Sequence, residues 1–227
     1  MDRKLIIRKA IGGLLFLAVM LWLAIFLPVW TINYWRGWLY FIVFIISCLL
    51  ITLYFFKKDL GLIQRRLRAG PTAETEKSQK IIQALSSLFF LGIFIVSGLD
   101  YRSGWSCVPG IWSIIADGFA AIGFLIVFFV FKENSYTSSI IEVGDEQKVI
   151  STGPYGRIRH PMYSGAFLML LFTPFALGSV WGLIPVAGII ITIILRLLDE
   201  EKYLMKNLPG YKEYTEKVRF RLIPGVW

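Results

Sequence analysis

The stretch SGAFLMLLFTPFALGSVWGLIPVAGIIITIILRLL, residues 164–198, decides the fold that the sequence predicts. It holds 35 residues, of which only Arg196 is charged. As one straight helix it would be about 52 Å long, too long for a single bilayer crossing at ordinary tilt. Leu177-Gly178-Ser179 near its middle is typical of a turn. We therefore predict a hairpin of two short membrane-spanning helices.

Four further apolar runs precede this stretch, at residues 10–30, 38–56, 81–99 and 111–131. Each has about the 20 apolar residues that one helical crossing of a bilayer needs. Hydrophobic residues make up 56% of the chain and its mean hydropathy is +0.66, more apolar than a soluble domain allows. The first run is too long for a cleaved signal peptide, so we interpret it as a retained helix.

These runs predict an all-α integral membrane protein with about six transmembrane helices, the last two forming the hairpin. We expect two regions. Residues 1–131 would hold four N-terminal transmembrane helices. Residues 132–227 would form a catalytic region with a cofactor loop, the helical hairpin and a C-terminal cytoplasmic helix.

The distribution of basic residues predicts the orientation. If residues 1–10 are cytoplasmic, so are 57–80, 132–163 and 196–227, and these four segments contain 22 of the 24 Lys and Arg. Such a bias is the positive-inside pattern of membrane proteins. Both termini and the predicted cofactor pocket are then cytoplasmic. The net charge of +9 is interpreted as orientation and contact with anionic lipid head groups, and not as nucleic-acid binding.

Three isolated residues in or near the apolar segments have simpler interpretations. Cys48 lies within the second span and Cys107 in an outer loop, so they predict neither a disulfide framework nor a metal site. Asp117 interrupts the fourth span near its outer end. We expect it to pack against a polar partner on another helix, Asn33 or a serine.

The only histidine of the chain, His160, lies just before the hairpin. Pro161 suits the first position of a helix, which predicts a helix start with the N–H groups of Met162 and Tyr163 unpaired, a site for an anion. Upstream, residues 140–143 and 148–150 have the pattern of short strands around the turn Gly144-Asp145-Glu146.

At the far end of the hairpin, Arg196 and Glu200 share one helix face and return to the side of His160. With the phenols of Tyr155 and Tyr163, these groups suit a sulfonium cofactor that carries an amino and a carboxylate group. Each residue taken alone has a simpler interpretation. His160 would lie at head-group level, Glu200 would be solvated, and Arg196 would extend its side chain to the head groups. The complementary ends of one hairpin favour an active site.

Several motifs resemble the isoprenylcysteine carboxyl methyltransferase family: GPY at 153–155, RHPMYSG at 159–165, EE at 200–201 and GYKEY at 210–214. These integral membrane enzymes use S-adenosyl-L-methionine, and the family extends to phospholipid methyltransferases. The resemblance covers residues 134–224. It implies an S-adenosylmethionine-dependent methyltransferase with His160 and Arg196 as catalytic residues. It also implies cofactor contacts by Glu142, Gln147, Lys148, Val149, Ile150, Tyr155, His160, Pro161, Met162, Tyr163 and Glu200.

In the family, Arg196 matches the arginine on the substrate side. The resemblance therefore implies carboxyl O-methylation of an isoprenylcysteine-like or other lipophilic acceptor, which would reach the site from the membrane. A carboxylate needs no base, and Arg196 would orient it. An amine or thiol would need deprotonation, for which His160 is the candidate. A phospholipid, amine or thiol methyltransferase thus stays open.

Two other classes are alternatives. A reductase similar to the sterol reductases would use NADPH, and the sequence has no Gly-rich phosphate-binding motif. A transporter or membrane scaffold would place polar groups near the midplane of the bilayer. Apart from Asp117, the predicted spans lack such groups.

Overall fold

A computed structural model describes residues 2–74, 76–144 and 147–227 of the chain. Within these residues the secondary structure is helical, with eight α-helices and no β-strand. The helices are α1 (Arg3–Val29), α2 (Trp35–Lys58), α3 (Leu60–Arg66), α4 (Lys77–Ser103), α5 (Gly110–Glu133), α6 (Pro161–Ala176), α7 (Leu183–Asn207) and α8 (Tyr211–Lys217). The predicted all-α class is confirmed for the described residues.

Four of the helices, α1, α2, α4 and α5, are long and apolar enough to cross a membrane. They coincide with the four predicted runs. Large apolar side chains cover their outer faces, such as Leu15 and Phe16, which are 63% and 68% exposed. Apolar surface of this extent is typical of helices that face lipid.

The stretch of residues 164–198 forms the predicted hairpin, with α6 followed by α7. Gly178 in its turn has φ of +75°, a conformation that glycine adopts without steric strain. The Ser179 hydroxyl donates a hydrogen bond to Asp100 near the end of α4. The ring of Trp181 lies 6.5 Å from that of Trp105, in the α4–α5 connection. The hairpin therefore extends to the end of the molecule where α4 ends.

The backbones of α5 and α6 touch at two glycines. A Cβ on Gly123 would lie 2.7 Å from the carbonyl oxygen of Gly165, and a Cβ on Gly165 would lie 2.9 Å from that of Gly123. Small residues allow such close approach between membrane helices. This contact fixes the position of α6, which begins at Pro161, directly after His160.

Polar contacts join α7 to α4 along their length. The Ser86 hydroxyl donates to the Thr192 hydroxyl at 2.7 Å, and the Gln79 amide donates to Asp199 at 2.8 Å. The first turns of α4 thus lie beside the last turns of α7, where Arg196 and Glu200 are found.

The two predicted strands are wrong. Residues 140–143 and 148–150 are irregular, because their segment packs against helices and not against another extended segment. Neighbouring side chains satisfy its backbone: Glu74 accepts from the N–H of Ile141, and Arg196 donates to the carbonyl of Ser139. Asp145 and Glu146, in the predicted turn, lie outside the described residues.

The predicted partner of Asp117 is also wrong. Its side chain is buried in α5, and neither carboxylate oxygen accepts a hydrogen bond from any other described residue. The nearby Ser113 hydroxyl donates instead to the carbonyl of Phe175.

Candidate active site

A cavity of about 580 Å³ lies between the start of α6, the end of α7 and the irregular residues 134–142 and 147–150. We call it the main cavity. Its volume falls within the range of roughly 300–1,000 Å³ that is typical of small-molecule sites. All the site residues predicted from the sequence line it, namely Glu142, Gln147, Lys148, Val149, Ile150, Tyr155, His160, Pro161, Met162, Tyr163, Arg196 and Glu200.

Tyr163 connects the two hairpin residues that were predicted to act together. Its phenol donates a 2.6 Å hydrogen bond to Oε2 of Glu200 and accepts one from Nε of Arg196 at 3.2 Å. Tyr163 is itself buried. The chain Arg196–Tyr163–Glu200 therefore holds the Glu200 carboxylate in one orientation and leaves its Oε1 for another partner.

Arg196 has an acidic partner that the sequence did not predict. Its Nη1 lies 2.8 Å from Oε1 of Glu74, a buried residue from the connection between α3 and α4. Nη1 also donates to the Gln79 side chain at 3.1 Å, and Nη2 donates to the carbonyl of Ser139 at 2.9 Å. Four protein groups, counting Tyr163, thus hold the guanidinium, and Nη2 keeps one N–H for a further acceptor.

The adjacent acid, Glu201, points away from the main cavity into a cluster of basic residues. Its Oε1 lies 3.1 Å from Arg159 and 3.3 Å from Nε2 of His160, and its Oε2 accepts from Arg221 at 2.8 Å. Glu201 is 3% exposed. Two consecutive glutamates therefore have different environments, with Glu200 facing the cavity and Glu201 buried among basic side chains.

The last residues of the chain hold His160 in place. The backbone N–H of His160 donates to the carbonyl of Arg221, and that of Arg159 donates to Phe220, both at 2.9 Å. Nε2 of His160 contacts Glu201, and Nδ1 has no hydrogen-bond partner among the described residues.

The start of α6 has the predicted position but differs in its hydrogen bonds. His160 is the N-cap and Pro161 the first helical residue, as predicted. The N–H of Tyr163, predicted to be unpaired, donates to the carbonyl of His160 at 3.1 Å. This tight first turn leaves fewer free N–H groups for an anion than we predicted.

Other predicted cofactor contacts are held by neighbouring protein groups. Glu142 pairs with Arg68 at 3.2 Å and accepts from the Ser138 hydroxyl. The Tyr155 phenol accepts from the Asn134 amide at 3.1 Å, and burial raises the pKa of Tyr155 to about 12, so this phenol is neutral near pH 7.

The end of the main cavity that lies among the long helices is mainly apolar, although Ser86 and Ser87 of α4 also line the cavity. It is lined there by Phe90 and Leu91 of α4, Ala166 of α6, and Ile189 and Ile193 of α7. Leu91 is also exposed on the outer, apolar face of α4. A polar end and an apolar end in one cavity suit two ligands of different polarity.

Sequence reasoning missed several residues of this site, above all Glu74 and Gln79 of the basic 57–80 segment. The usable signal was that Arg196, an arginine at the end of an apolar run, needs an anionic partner. It did not identify Glu74, because the segment also contains Asp59 and Glu76. Among the described residues, no group of three His, Cys, Asp or Glu side chains is arranged to hold a metal ion.

Comparison with known proteins agrees with the resemblance found in the sequence. Residues 111–211 match the family model of the phospholipid methyltransferases. That family belongs to the same group of integral membrane methyltransferases as the isoprenylcysteine carboxyl methyltransferases, so the resemblance is confirmed. The matched range contains every site residue predicted from the sequence. No curated protein matches the chain.

Proposed function

We propose that the protein transfers a methyl group from S-adenosylmethionine to a lipophilic acceptor at the cytoplasmic face of a membrane. The favoured reaction is carboxyl O-methylation of an isoprenylcysteine-like or similar acceptor. One observation carries the proposal: residues predicted from a methyltransferase resemblance, spread from Glu142 to Glu200, line one cavity. The match of residues 111–211 to a methyltransferase family supports the same class.

The polar end of the main cavity fits the cofactor. Oε1 of Glu200 is placed to accept from an ammonium group, since Tyr163 occupies only Oε2. The phenols of Tyr155 and Tyr163 offer aromatic faces for a sulfonium. When bound, S-adenosylmethionine supplies a methyl group that a nucleophile can take directly. Glu200 and the segment of residues 147–150 would hold and orient it.

The apolar end fits the acceptor. The polar head of the acceptor would lie toward Arg196, and apolar side chains such as Phe90, Ile189 and Ile193 would exclude water from the same cavity. Methyl transfer depends mainly on alignment of the two reactants and exclusion of water. The free N–H of Arg196 would orient a carboxylate head. For an amine or thiol acceptor, Nδ1 of His160 would take the proton.

The proposal includes six membrane crossings with both termini cytoplasmic. The contacts of Ser179 with Asp100 and of Trp181 with Trp105 support α6 and α7 as the fifth and sixth crossings, because they place the hairpin turn level with the end of α4. The distribution of basic residues supports the orientation.

Calorimetry on the purified protein tests this function. We expect binding of S-adenosylhomocysteine and none of NADPH. Binding of NADPH alone would indicate the reductase alternative, and binding of neither ligand would favour a transporter or scaffold.

A further inference from the structure

A second cavity, about 350 Å³ in volume, lies between α1, α2, α3 and α5. We call it the apolar crevice. It is lined by aliphatic and aromatic side chains together with Gly13, Cys48 and Thr52. Arg66, at the end of α3, is its one charged lining residue in the part of the chain that the structure describes, and it also lines the main cavity. This guanidinium therefore lies where an apolar space meets the proposed cofactor site.

Arg66 lacks the acidic partner that the other arginines of the main cavity have. Arg159 lies 3.1 Å from Glu201 and Arg196 lies 2.8 Å from Glu74. Within residues 2–74, 76–144 and 147–227, no carboxylate lies within ion-pair distance of Arg66. Arg66 is half-buried and lines both cavities, so a negative group that enters either cavity can pair with it without competing with a described carboxylate.

The contacts of Arg66 hold it in place without neutralising it. Nη1 donates to the carbonyl of Ser138 at 2.9 Å and lies 3.8 Å from the sulfur of Met162. The guanidinium carbon lies 5.0 Å from the centre of the Phe131 ring. Nε and Nη2 have no acceptor among the described residues. Burial lowers the pKa of Arg66 to about 10, so it stays protonated near pH 7.

We propose that Arg66 binds the anionic head of a single-chain amphiphile whose tail occupies the apolar crevice. The inference rests on the proposed function in one respect: we identify this amphiphile as the methyl acceptor. Arg66 touches Met162, which lines the main cavity, so a head group on Arg66 lies beside the proposed cofactor site. A planar guanidinium with free donors suits a carboxylate or a phosphate head.

The Arg66 site can be tested with two anionic probes, dodecyl phosphate and laurate. Native mass spectrometry in a neutral maltoside detergent measures their binding to the protein. Methyl laurate is the neutral comparison. We expect both anions to bind at least tenfold more tightly than the ester. Arg66→Gln should weaken the anions at least tenfold, and the matched control Arg65→Gln, on the same helix but outside both cavities, should stay within threefold. Arg66→Lys keeps the charge and should retain measurable binding.

The crevice has its own pair of variants on α1. Gly13 lines the crevice, and a Cβ there would meet only Leu67, at 3.9 Å, so Gly13→Leu fills the space without a backbone clash. Gly12 faces open space, and Gly12→Leu is the matched control. We expect Gly13→Leu to weaken the anionic probes at least tenfold and Gly12→Leu to leave them unchanged. Equal binding in Arg66→Gln or in Gly13→Leu would overturn the site.

Methyl transfer identifies the occupant. Dodecyl phosphate should inhibit transfer of labelled methyl from S-adenosylmethionine to lipids extracted from the membranes that hold the protein. Arg66-dependent binding without inhibition would mean an ordinary membrane lipid and would overturn the acceptor assignment. The affinity of Arg66→Gln for S-adenosylhomocysteine should stay within threefold of wild type. If the wild type binds dodecyl phosphate through Arg66 but never binds S-adenosylhomocysteine, the proposed function fails and the anion site stands.

Discussion

The guanidinium of Arg196 lies 2.8 Å from the carboxylate of Glu74, which comes from the connection between two other helices. This pair joins the end of α7 to the segment before α4, next to the main cavity. It neutralises an arginine that the family resemblance places on the acceptor side. Arg196 therefore acts as a fixed part of the cavity wall with one remaining donor. Among the described residues, Arg66 is the lining arginine that no carboxylate neutralises.

Replacement of Arg196 should separate turnover from cofactor binding. Arg196→Lys keeps the charge but cannot reach Glu74, Tyr163 and Ser139 together. We expect turnover to fall at least tenfold, while the dissociation constant of S-adenosylhomocysteine stays within about threefold, under 1 kcal/mol. Turnover assays and calorimetry on one preparation provide the two values. Parallel loss of both would assign Arg196 to the cofactor.

The Glu200 carboxylate should matter for the cofactor more than for stability. Glu200→Gln keeps the shape but removes a charge-assisted hydrogen bond worth roughly 1.5–3 kcal/mol. We expect affinity for S-adenosylhomocysteine, measured by calorimetry, to fall about tenfold or more. The control Glu216→Gln removes an exposed acid from α8 and should have no effect. Unchanged affinity in Glu200→Gln would show that this carboxylate is wrongly assigned.

The Glu201 carboxylate should matter for stability more than for the cofactor. Glu201→Gln leaves Arg159 buried without its anion and weakens the contacts with His160 and Arg221. The loss of one partner of a buried ion pair costs about 3–5 kcal/mol. We expect thermal unfolding in detergent to occur at a clearly lower temperature than for Glu200→Gln. The reverse order of the two midpoints would contradict the different environments of these neighbours.

The glycine contact between α5 and α6 predicts a steric effect. Gly123→Ala places a methyl group 2.7 Å from the carbonyl of Gly165, so the helices must move apart, at a cost of about 1–3 kcal/mol. Gly118→Ala, on the same helix, meets no atom within 4 Å and should be neutral or slightly stabilising. Thermal unfolding of the two variants tests the contact, and equal midpoints would exclude it.

The orientation can be tested with a natural thiol. Cys107 is exposed in the connection between α4 and α5, which the proposed topology places outside. In a Cys48→Ser background, a membrane-impermeant maleimide should label Cys107 in intact cells. Trp227→Cys in a Cys107→Ser chain should be labelled only after permeabilisation. Labelling in the opposite order would refute the cytoplasmic termini.

The membrane class, the four long helices and the hairpin were predictable from the sequence because each depends on a local property. A helix in lipid must be apolar along its whole length, and a turn within an apolar run needs residues such as Gly178. The start of α6 at Pro161 was predictable for the same reason. The irregular conformation of residues 140–143 and 148–150 was not predictable from the sequence. A strand needs a neighbouring extended segment, and these residues pack against helices instead.

The partners within the site were decided only by tertiary structure. Glu200 and Glu201 are adjacent in the sequence. The packing of α7 against α6 and against the last residues of the chain decides that Glu200 faces the cavity. The same packing places Glu201 against Arg159, His160 and Arg221. Likewise, the basic 57–80 segment contains both Glu74, which neutralises Arg196, and Arg66, which contacts no described carboxylate. Electrostatic pairing depends on distances of a few ångströms between groups far apart in the chain, and helix packing sets those distances.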